Sequence, residues 1–218
     1  MARYTLILGT KDWSSWSLRP YLAMRATGAA FEEIMVPLRR GDSRDRIVKY
    51  SRSGKLPALK IEEDGKTTTV WDSLAICETL AERHPEARLW PEDRATRAEA
   101  RSYAAEMHSG FAAMRSNLSM DFVRRLPTPN LDDDTKADVA RVIEAWTHAL
   151  EHHGNEEGFL FGRFSIADAM YAPVVSRFVT YGIDVPPIVR GYIDRMFALP
   201  AMKDWGNAAQ MEVDAGVA

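Results

Sequence analysis

Apolar and polar positions follow different periods in the two parts of this chain. The first 85 residues combine short apolar runs, such as residues 4–9, with helical spacing, as in Leu18, Tyr21 and Leu22. Short β-forming runs that end at glycine are typical of buried strands, whereas apolar residues three and four apart are typical of helices. The pattern predicts strand, helix, strand, helix, strand, strand and helix, over residues 4–9, 17–27, 31–37, about 44–51, 56–61, 67–71 and 73–83.

From Leu89 onward nearly every segment has helical spacing. One long helix is predicted from Asp93 to about Val123, and further helices are predicted over about 132–153, 165–180, 187–198 and 201–211. The apolar stripe of the long helix consists of Tyr103, Met107, Phe111, Met114 and Leu118. The sequence therefore predicts an α/β domain over residues 1–85, a linker over 86–93 and an all-helical domain over 94–218.

Composition and charge exclude several classes of protein. The 218 residues are 46% hydrophobic and 27% charged, which is enough apolar material for a sizeable core. A net charge of -3 argues against non-specific nucleic-acid binding. The apolar runs are too short for a membrane span, and the first residues lack the pattern of a signal peptide. With Cys77 as the single cysteine, we expect no internal disulfide and a cytoplasmic location.

Three serines surround the start of the first predicted helix. Ser14, Ser15 and Ser17 follow the first strand directly, between two tryptophans, Trp13 and Trp16. Serine is favoured as an N-cap, and one serine is enough for that purpose. Because a helix N-terminus carries unpaired N–H groups and a partial positive charge, this stretch also suits an anion.

Other kinds of site are not supported by the sequence. A thiol–disulfide oxidoreductase needs two cysteines after its first strand, where this chain has serines. His148 and His152 are four residues apart, but no third metal ligand is evident, so we expect no metal. No serine lies in a Gly-x-Ser-x-Gly elbow of a hydrolase.

The whole chain resembles the cytosolic glutathione transferases. The stretch Ser14-Ser15-Trp16-Ser17-Leu18-Arg19 is similar to the Ser-Ser-Cys-Ser-x-Arg motif of the zeta class. The segments at 54–59 and 71–76 resemble the family's Lys-Val-Pro-x-Leu and Glu/Gln-Ser-x-Ala-Ile segments, and 165–168 resembles its capping box. The resemblance implies a thioredoxin-like domain followed by an all-helical domain, a cis bond before Pro57 and a homodimer.

The resemblance also implies a site. Ser14, or Ser15 one position along, would donate a hydrogen bond to the thiolate of glutathione. The tripeptide itself would be held by Arg40, Lys55, Leu56, Pro57, Asp72 and Ser73. A small hydrophobic electrophile would lie against Trp13, Trp16, Met107, Phe111, Met114 and Arg115. Arg19 is expected to form a structural ion pair.

Three functions stay open at this stage. A glutathione transferase is the first, a glutathione-dependent isomerase of the maleylacetoacetate type is the second, and a non-catalytic binding module with the same fold is the third. Trp16 stands where the zeta class has cysteine. Arg177 is the nearest candidate for that class's carboxylate-binding arginine, and it is reached only with a gap in the match.

Overall fold

The computed structural model of the protein describes residues 2–218 and contains a mixed sheet followed by a set of helices. The elements are β1 (Arg3–Gly9), α1 (Ser15–Thr27), β2 (Phe31–Val36), α2 (Ser43–Ile47), β3 (Ala58–Glu63), β4 (Lys66–Trp71), α3 (Ser73–Arg83), α4 (Arg94–Ser109), α5 (Ala112–Asn117), α6 (Asp133–His153), α7 (Ile166–Thr180), α8 (Pro187–Ala198) and α9 (Pro200–Asp214), with a short 3-10 helix at Pro85–Ala87. The predicted fold class, an α/β domain followed by an all-helical one, is confirmed.

The sheet has the strand order β2-β1-β3-β4. β1 runs parallel to β2 and antiparallel to β3, and β4 returns antiparallel to β3. Leu6, Ile7 and Leu8 of the inner strand β1 are buried, which explains its continuous apolar run. β3 begins at Ala58, two residues later than predicted, because Pro57 has no N–H to donate to the ladder.

Helix α1 lies between the sheet domain and the helical domain. It packs against α3 on one side and α7 on the other, and every residue from 17 to 24 is buried. Polar bonds join the two domains next to it: Val123 N–H donates to Asp12 Oδ1 at 2.9 Å, and Trp205 Nε1 donates to the carbonyl of Lys11 at 3.0 Å. The N-terminus of α1 is therefore held by both domains.

The prediction of a single long helix from Asp93 to Val123 is wrong. Helix α4 ends at Ser109, and α5 begins at Ala112 and ends at Asn117. A side chain at Gly110 would approach the carbonyl oxygen of Glu106 to 2.8 Å, and Phe111 adopts a left-handed φ of 60°. The chain therefore turns at Gly110, and an unbroken helical hydrophobic spacing conceals this break.

Helix α7 begins with a buried capping box. The N–H and the hydroxyl of Ser165 both donate to Asp168 Oδ2, at 2.8 and 3.0 Å, and the N–H of Leu160 donates to Oδ1 at 3.1 Å. Asp168 is fully buried, so its carboxylate serves as the acceptor for donors that water cannot reach.

Asp168 predicts a pH-dependent stability. Burial raises the pKa of Asp168 from 3.8 to about 6. Between these values the folded protein holds a proton that the unfolded chain has released, so the contribution of Asp168 is complete below about pH 4 and falls as the pH rises through 6. We expect Asp168→Ala to lower the free energy of unfolding by about 1–3 kcal/mol at pH 7, since buried donors lose their acceptor, and by more at pH 4.

Urea unfolding from pH 4 to pH 7 measures this difference. Asp133→Ala is the control, because that carboxylate is 99% exposed in the first turn of α6. An equal loss for Asp168→Ala at both ends of the pH range would contradict the raised pKa.

Candidate functional site

A cleft lies between the two domains, at the N-termini of α1 and α3. It consists of two adjoining cavities of about 630 and 450 Å³. The first cavity is lined by Trp16, Ser53, Lys55, Leu56, Pro57, Trp71, Asp72, Ser73, His108 and Arg115. The second is lined by Trp13, Ser14, Ser15, Trp16, Leu38, Arg39, Ile47, Gly54, Lys55, Leu56, Arg115, Ser119, Met120 and Arg177. The structure thus brings together most of the site residues that the sequence pointed to.

The serines at the start of α1 differ in their hydrogen bonds. Ser14 is the N-cap residue, and its hydroxyl donates to Ser17 Oγ at 2.7 Å. Ser17 Oγ also accepts the N–H of Gly9 at 2.9 Å, so Ser17 ties the helix to the end of β1. Ser15 is the first residue of α1, and its Oγ accepts from Arg177 Nη2 at 2.9 Å.

The segment before β3 contributes backbone and a cation to the cleft. The Leu56–Pro57 bond is cis, as predicted. Leu56 and Lys55 line both cavities. Lys55 is exposed, so its ammonium is available to a ligand.

The start of α3 presents one carboxylate oxygen and one unpaired hydroxyl. Asp72 has a left-handed φ of 75°, and its Oδ1 caps the helix by accepting from the N–H groups of Leu74 and Ala75 at 2.9 and 3.2 Å. Ser73 is buried, and its Oγ has no hydrogen-bond partner. A buried unpaired hydroxyl is costly, so a ligand that reaches Ser73 would supply a missing partner.

His108 is a cleft residue that the sequence analysis missed. Its Nε2 lies 3.2 Å from Asp72 Oδ2, and its ring packs edge-on against Trp16 at 5.3 Å. His108 and Arg115 are seven residues apart and line the first cavity together. A spacing of seven residues places two side chains on the same face of a helical pattern, and this spacing could have pointed to His108 once Arg115 was assigned to the site.

The apolar stripe assigned to the electrophile lies elsewhere. Met107, Phe111 and Met114 are buried in the hydrophobic core, and they are not among the residues that line the two cavities. His108 of α4 and the predicted residue Arg115 of α5 line the cleft instead, each one position after one of these methionines.

Arg40, a predicted glutathione ligand, lies against the C-terminal segment. Its Nη2 donates to the carbonyls of Gly216 and Val217 at 2.6 and 3.3 Å, and it lines neither cavity. Arg39 lines the second cavity instead, with its guanidinium 4.3 Å from the ring centroid of Trp13.

The cations that line the cleft, and the buried Arg19 next to Trp16, lack carboxylate partners. The ion pair expected for Arg19 is wrong: its Nε donates to the carbonyl of Met170 at 2.9 Å, and its guanidinium lies 4.2 Å from the ring centroid of Trp16. Within residues 2–218, no carboxylate is within ion-pair distance of Arg19, Arg39, Lys55, Arg115 or Arg177. Burial, together with repulsion between arginines, lowers the pKa of Arg19 to about 9 and that of Arg177 to about 10. Both remain charged at neutral pH, and the cleft is therefore suited to anions.

The remaining reactive groups lie outside the cleft. Cys77 is fully buried, and burial raises the pKa of its thiol well above the ordinary value. His148 and His152 stack on each other at 4.1 Å on α6. In the part of the chain that the structure describes, no group of three or more His, Cys, Asp and Glu residues is arranged to hold a metal ion. None of the helices in that part is both long and apolar enough to cross a membrane.

Comparison with known proteins gives two family matches and several similar structures. Residues 13–83 match the glutathione S-transferase N-terminal domain, and residues 129–195 match the glutathione S-transferase C-terminal domain. The chain is 24% identical to a maleylacetoacetate isomerase of Pseudomonas aeruginosa over 93% of this chain and 96% of that protein. A glutathione transferase homologue from Burkholderia, solved with bound glutathione, superposes with a TM-score of 0.72 at 25% identity, over 96% of this chain and 99% of that one.

A maleylacetoacetate isomerase from Anaeromyxobacter dehalogenans superposes with a TM-score of 0.69 at 26% identity, over 94% of this chain and 96% of that one. The two family matches together span more than half of the chain, one in each domain. The chain belongs to the glutathione S-transferase superfamily.

Proposed function

We propose that this protein is an enzyme that binds glutathione in the first cavity and joins the glutathione sulfur to an electrophile in the second. The observation that carries the proposal is the start of α3, where the unpaired buried hydroxyl of Ser73 lies beside a carboxylate oxygen of Asp72. An amino acid end, with its ammonium and carboxylate, complements this pair of groups. The N-terminus of α1 lies at the other end of the cleft, where a thiolate is favoured.

The binding roles follow from the groups that line the two cavities. Asp72 Oδ1 is used by the helix cap, so Oδ2, which lies 3.2 Å from His108 Nε2, would accept from the γ-glutamyl ammonium. Ser73 Oγ would donate to the α-carboxylate, and the positive end of α3 favours the same anion. The backbone of Leu56 would pair with the extended tripeptide as an added strand. Lys55 would meet the glycyl carboxylate, and Arg39 replaces Arg40 as the second cation available there.

The chemistry needs a thiolate. A thiol has an ordinary pKa of about 8.5, and lowering it by roughly two units requires about 2.7 kcal/mol of preference for the anion. A hydrogen bond to a charged group contributes about 1.5–3 kcal/mol, and a helix N-terminus contributes about 0.3–1 kcal/mol. A serine hydroxyl at the start of α1 is therefore sufficient. The thiol proton leaves to solvent, the sulfur forms a bond to carbon, and the leaving group departs with its electron pair.

The second cavity favours an electrophile with an apolar body and an anionic group. Trp13 and Trp16 provide aromatic surface. Arg115 and Arg177 line the same cavity, and neither has a carboxylate partner within residues 2–218. This proposal modifies the purely hydrophobic electrophile expected from the sequence, because neutral substrates leave these charges uncompensated.

A glutathione-dependent isomerase is the second candidate. Two curated relatives are named maleylacetoacetate isomerase or probable maleylacetoacetate isomerase, and Arg177 lies in the second cavity, where it could bind a carboxylate. One feature argues against an isomerase: Trp16 stands where the zeta class has cysteine. Isomerisation of a cis-unsaturated dicarboxylate without consumption of glutathione would favour this candidate over transfer.

The resemblance is the ground for proposing a homodimer and for considering a non-catalytic module. The single cysteine is the ground for proposing a cytoplasmic location. Retention on immobilised glutathione followed by a conjugation assay separates an enzyme from a binding module. Retention without conjugation or isomerisation of any electrophile would identify the module.

Ser73→Ala should lower the affinity for glutathione without lowering the stability of the ligand-free protein. We expect glutathione affinity to fall about tenfold, since the variant loses a hydrogen bond to a charged carboxylate. The melting temperature of the ligand-free protein should be unchanged or higher, because an unpaired buried hydroxyl is removed. Calorimetric titration and thermal unfolding measure the two effects. A variant that loses stability and keeps its affinity would show that Ser73 has only a structural role.

The charge of the electrophile is tested with 4-(chloromethyl)benzoate and its neutral methyl ester. We expect kcat/KM to be about tenfold higher for the acid, by one hydrogen bond between charged groups. Arg115→Gln should reduce this preference, whereas Arg94→Gln, at the exposed first position of α4, should leave it unchanged. Equal use of both compounds by the unmodified protein would show that the second cavity takes neutral electrophiles.

A further inference from the structure

One side of the second cavity is formed by a segment without regular secondary structure. Residues 118–123 follow α5 directly and belong to no helix or strand. Ser119 and Met120 of this segment line the second cavity together with Trp13. We call residues 118–123 the cavity wall. Because the wall has no hydrogen-bond ladder of its own, its shape depends on the groups that other elements supply to its backbone.

Three side chains at the end of α7 hold the cavity wall from the helical domain. Each donates to a different backbone carbonyl of the wall: Arg177 Nε to Leu118 at 2.6 Å, Thr180 Oγ1 to Asp121 at 2.7 Å and the Tyr181 hydroxyl to Ser119 at 3.0 Å. Arg177 and Thr180 are buried, so water does not compete for their bonds.

Asp12 holds the other end of the cavity wall from the sheet domain. Its backbone carbonyl accepts the N–H of Phe122 at 3.1 Å, and its Oδ1 accepts the N–H of Val123 at 2.9 Å. Asp12 is 2% exposed, and the next residue in the chain is Trp13. One residue therefore ties the wall to the turn that carries an aromatic side chain of the same cavity.

The two partners in this link are themselves fixed. The N–H groups of Trp13 and Ser14 both donate to the carbonyl of Thr10, at 3.2 and 2.8 Å, which closes the turn around Asp12. On the other side, the ring of Phe122 lies so close to α9 that a side chain at Gly206 would approach it to 2.9 Å. The bonds of Asp12 thus join two rigid parts of different domains.

We propose that the cavity wall determines which electrophiles fit the second cavity, and that Asp12 is the positioning residue that fixes this wall relative to Trp13. The inference rests on the proposed function, in which the electrophile lies in the second cavity. Asp12 lines neither cavity, so it acts through the wall and not on the ligand. A wall that is already ordered costs less to bind against than one that becomes ordered on binding.

The wall needs the acceptor oxygen of Asp12 and not its charge. Burial raises the pKa of the Asp12 carboxyl above its ordinary value, and repulsion from Asp121 acts in the same direction, against the lowering effects of the Val123 N–H and of Arg124. The buried charge therefore opposes folding, whereas an amide oxygen accepts the same hydrogen bond. Asp12→Asn is consequently the conservative variant, since it keeps the acceptor and removes the charge.

The test compares the binding of two glutathione derivatives by calorimetric titration. S-Methylglutathione occupies the first cavity, and S-(4-carboxybenzyl)glutathione extends from it into the second. We expect Asp12→Ala to weaken binding of the benzyl derivative about tenfold, because the wall loses a buried hydrogen bond. Its affinity for S-methylglutathione should be unchanged. Asp12→Asn should bind both derivatives as the unmodified protein does.

A control and a second variant accompany this comparison. Asp93 also accepts a backbone N–H, that of Thr96 at 2.8 Å, but it caps α4 and lines neither cavity. Both affinities should be unchanged in Asp93→Ala. Thr180→Val replaces the hydroxyl that donates to the carbonyl of Asp121, and we expect it to weaken binding of the benzyl derivative alone. If Asp12→Ala does not fold, Asp12→Asn and Thr180→Val decide the proposal.

Each contrary outcome has a different meaning. Equal weakening of both derivatives in Asp12→Ala would show a general structural role and overturn the inference. A loss in Asp12→Asn as large as that in Asp12→Ala would overturn the role of the acceptor oxygen. Unchanged binding of the benzyl derivative in Thr180→Val would overturn the role of the wall.

The unmodified protein separates this inference from the proposed function. If it binds the benzyl derivative no more tightly than S-methylglutathione, the second cavity does not take the added group. The inference would then be wrong, while the binding of glutathione in the first cavity would stand. If the protein binds neither derivative, the proposed function is wrong as well.

Discussion

The burial of α1 between the two domains is the constraint on which the rest of the structure depends. Every residue from 17 to 24 is buried, with α3 on one side and α7 on the other. The helix therefore cannot shift without moving both domains, since packed interiors deform little. Its N-terminus, with Ser14 and Ser15, is consequently a fixed point in the cleft. Anion-stabilising groups benefit from such rigidity, because they do not have to reorganise when the charge forms.

A second consequence of this burial is an excess of positive charge. Arg19 enters the interface between α1 and α7, where a carbonyl and the Trp16 ring are its neighbours. Arg177 enters from the other side and bonds to Ser15. Burial lowers the pKa of Arg19, and repulsion from Arg177 lowers it further. A ligand that brings negative charge relieves this repulsion, so its binding also stabilises the folded protein.

Much of the fold could be predicted from the sequence because the causes are local. The apolar run of β1 and the helical spacing of α1 depend on the residues of each segment alone. Capping residues and turn residues mark the ends of several elements, as Asp132 does for α6 and Gly28 does for α1. The family motifs are local in the same sense, since each is a short segment that meets one part of the ligand. The break at Gly110 was missed because it preserves the hydrophobic spacing on both sides.

The sequence by itself determined the sheet, the helical half and the segments that form the cleft, while the tertiary structure decided which side chain of each segment faces it. A one-residue change of phase turns a helix by about 100°, and only the neighbouring elements show whether Met107 or His108 faces the core. The same holds for Arg39 and Arg40, whose directions depend on a C-terminal segment far away in the chain. Ser14 and Ser15 differ because Ser15 meets Arg177, 162 residues further along. Contacts of this range depend on how the domains pack, and no local pattern carries that information.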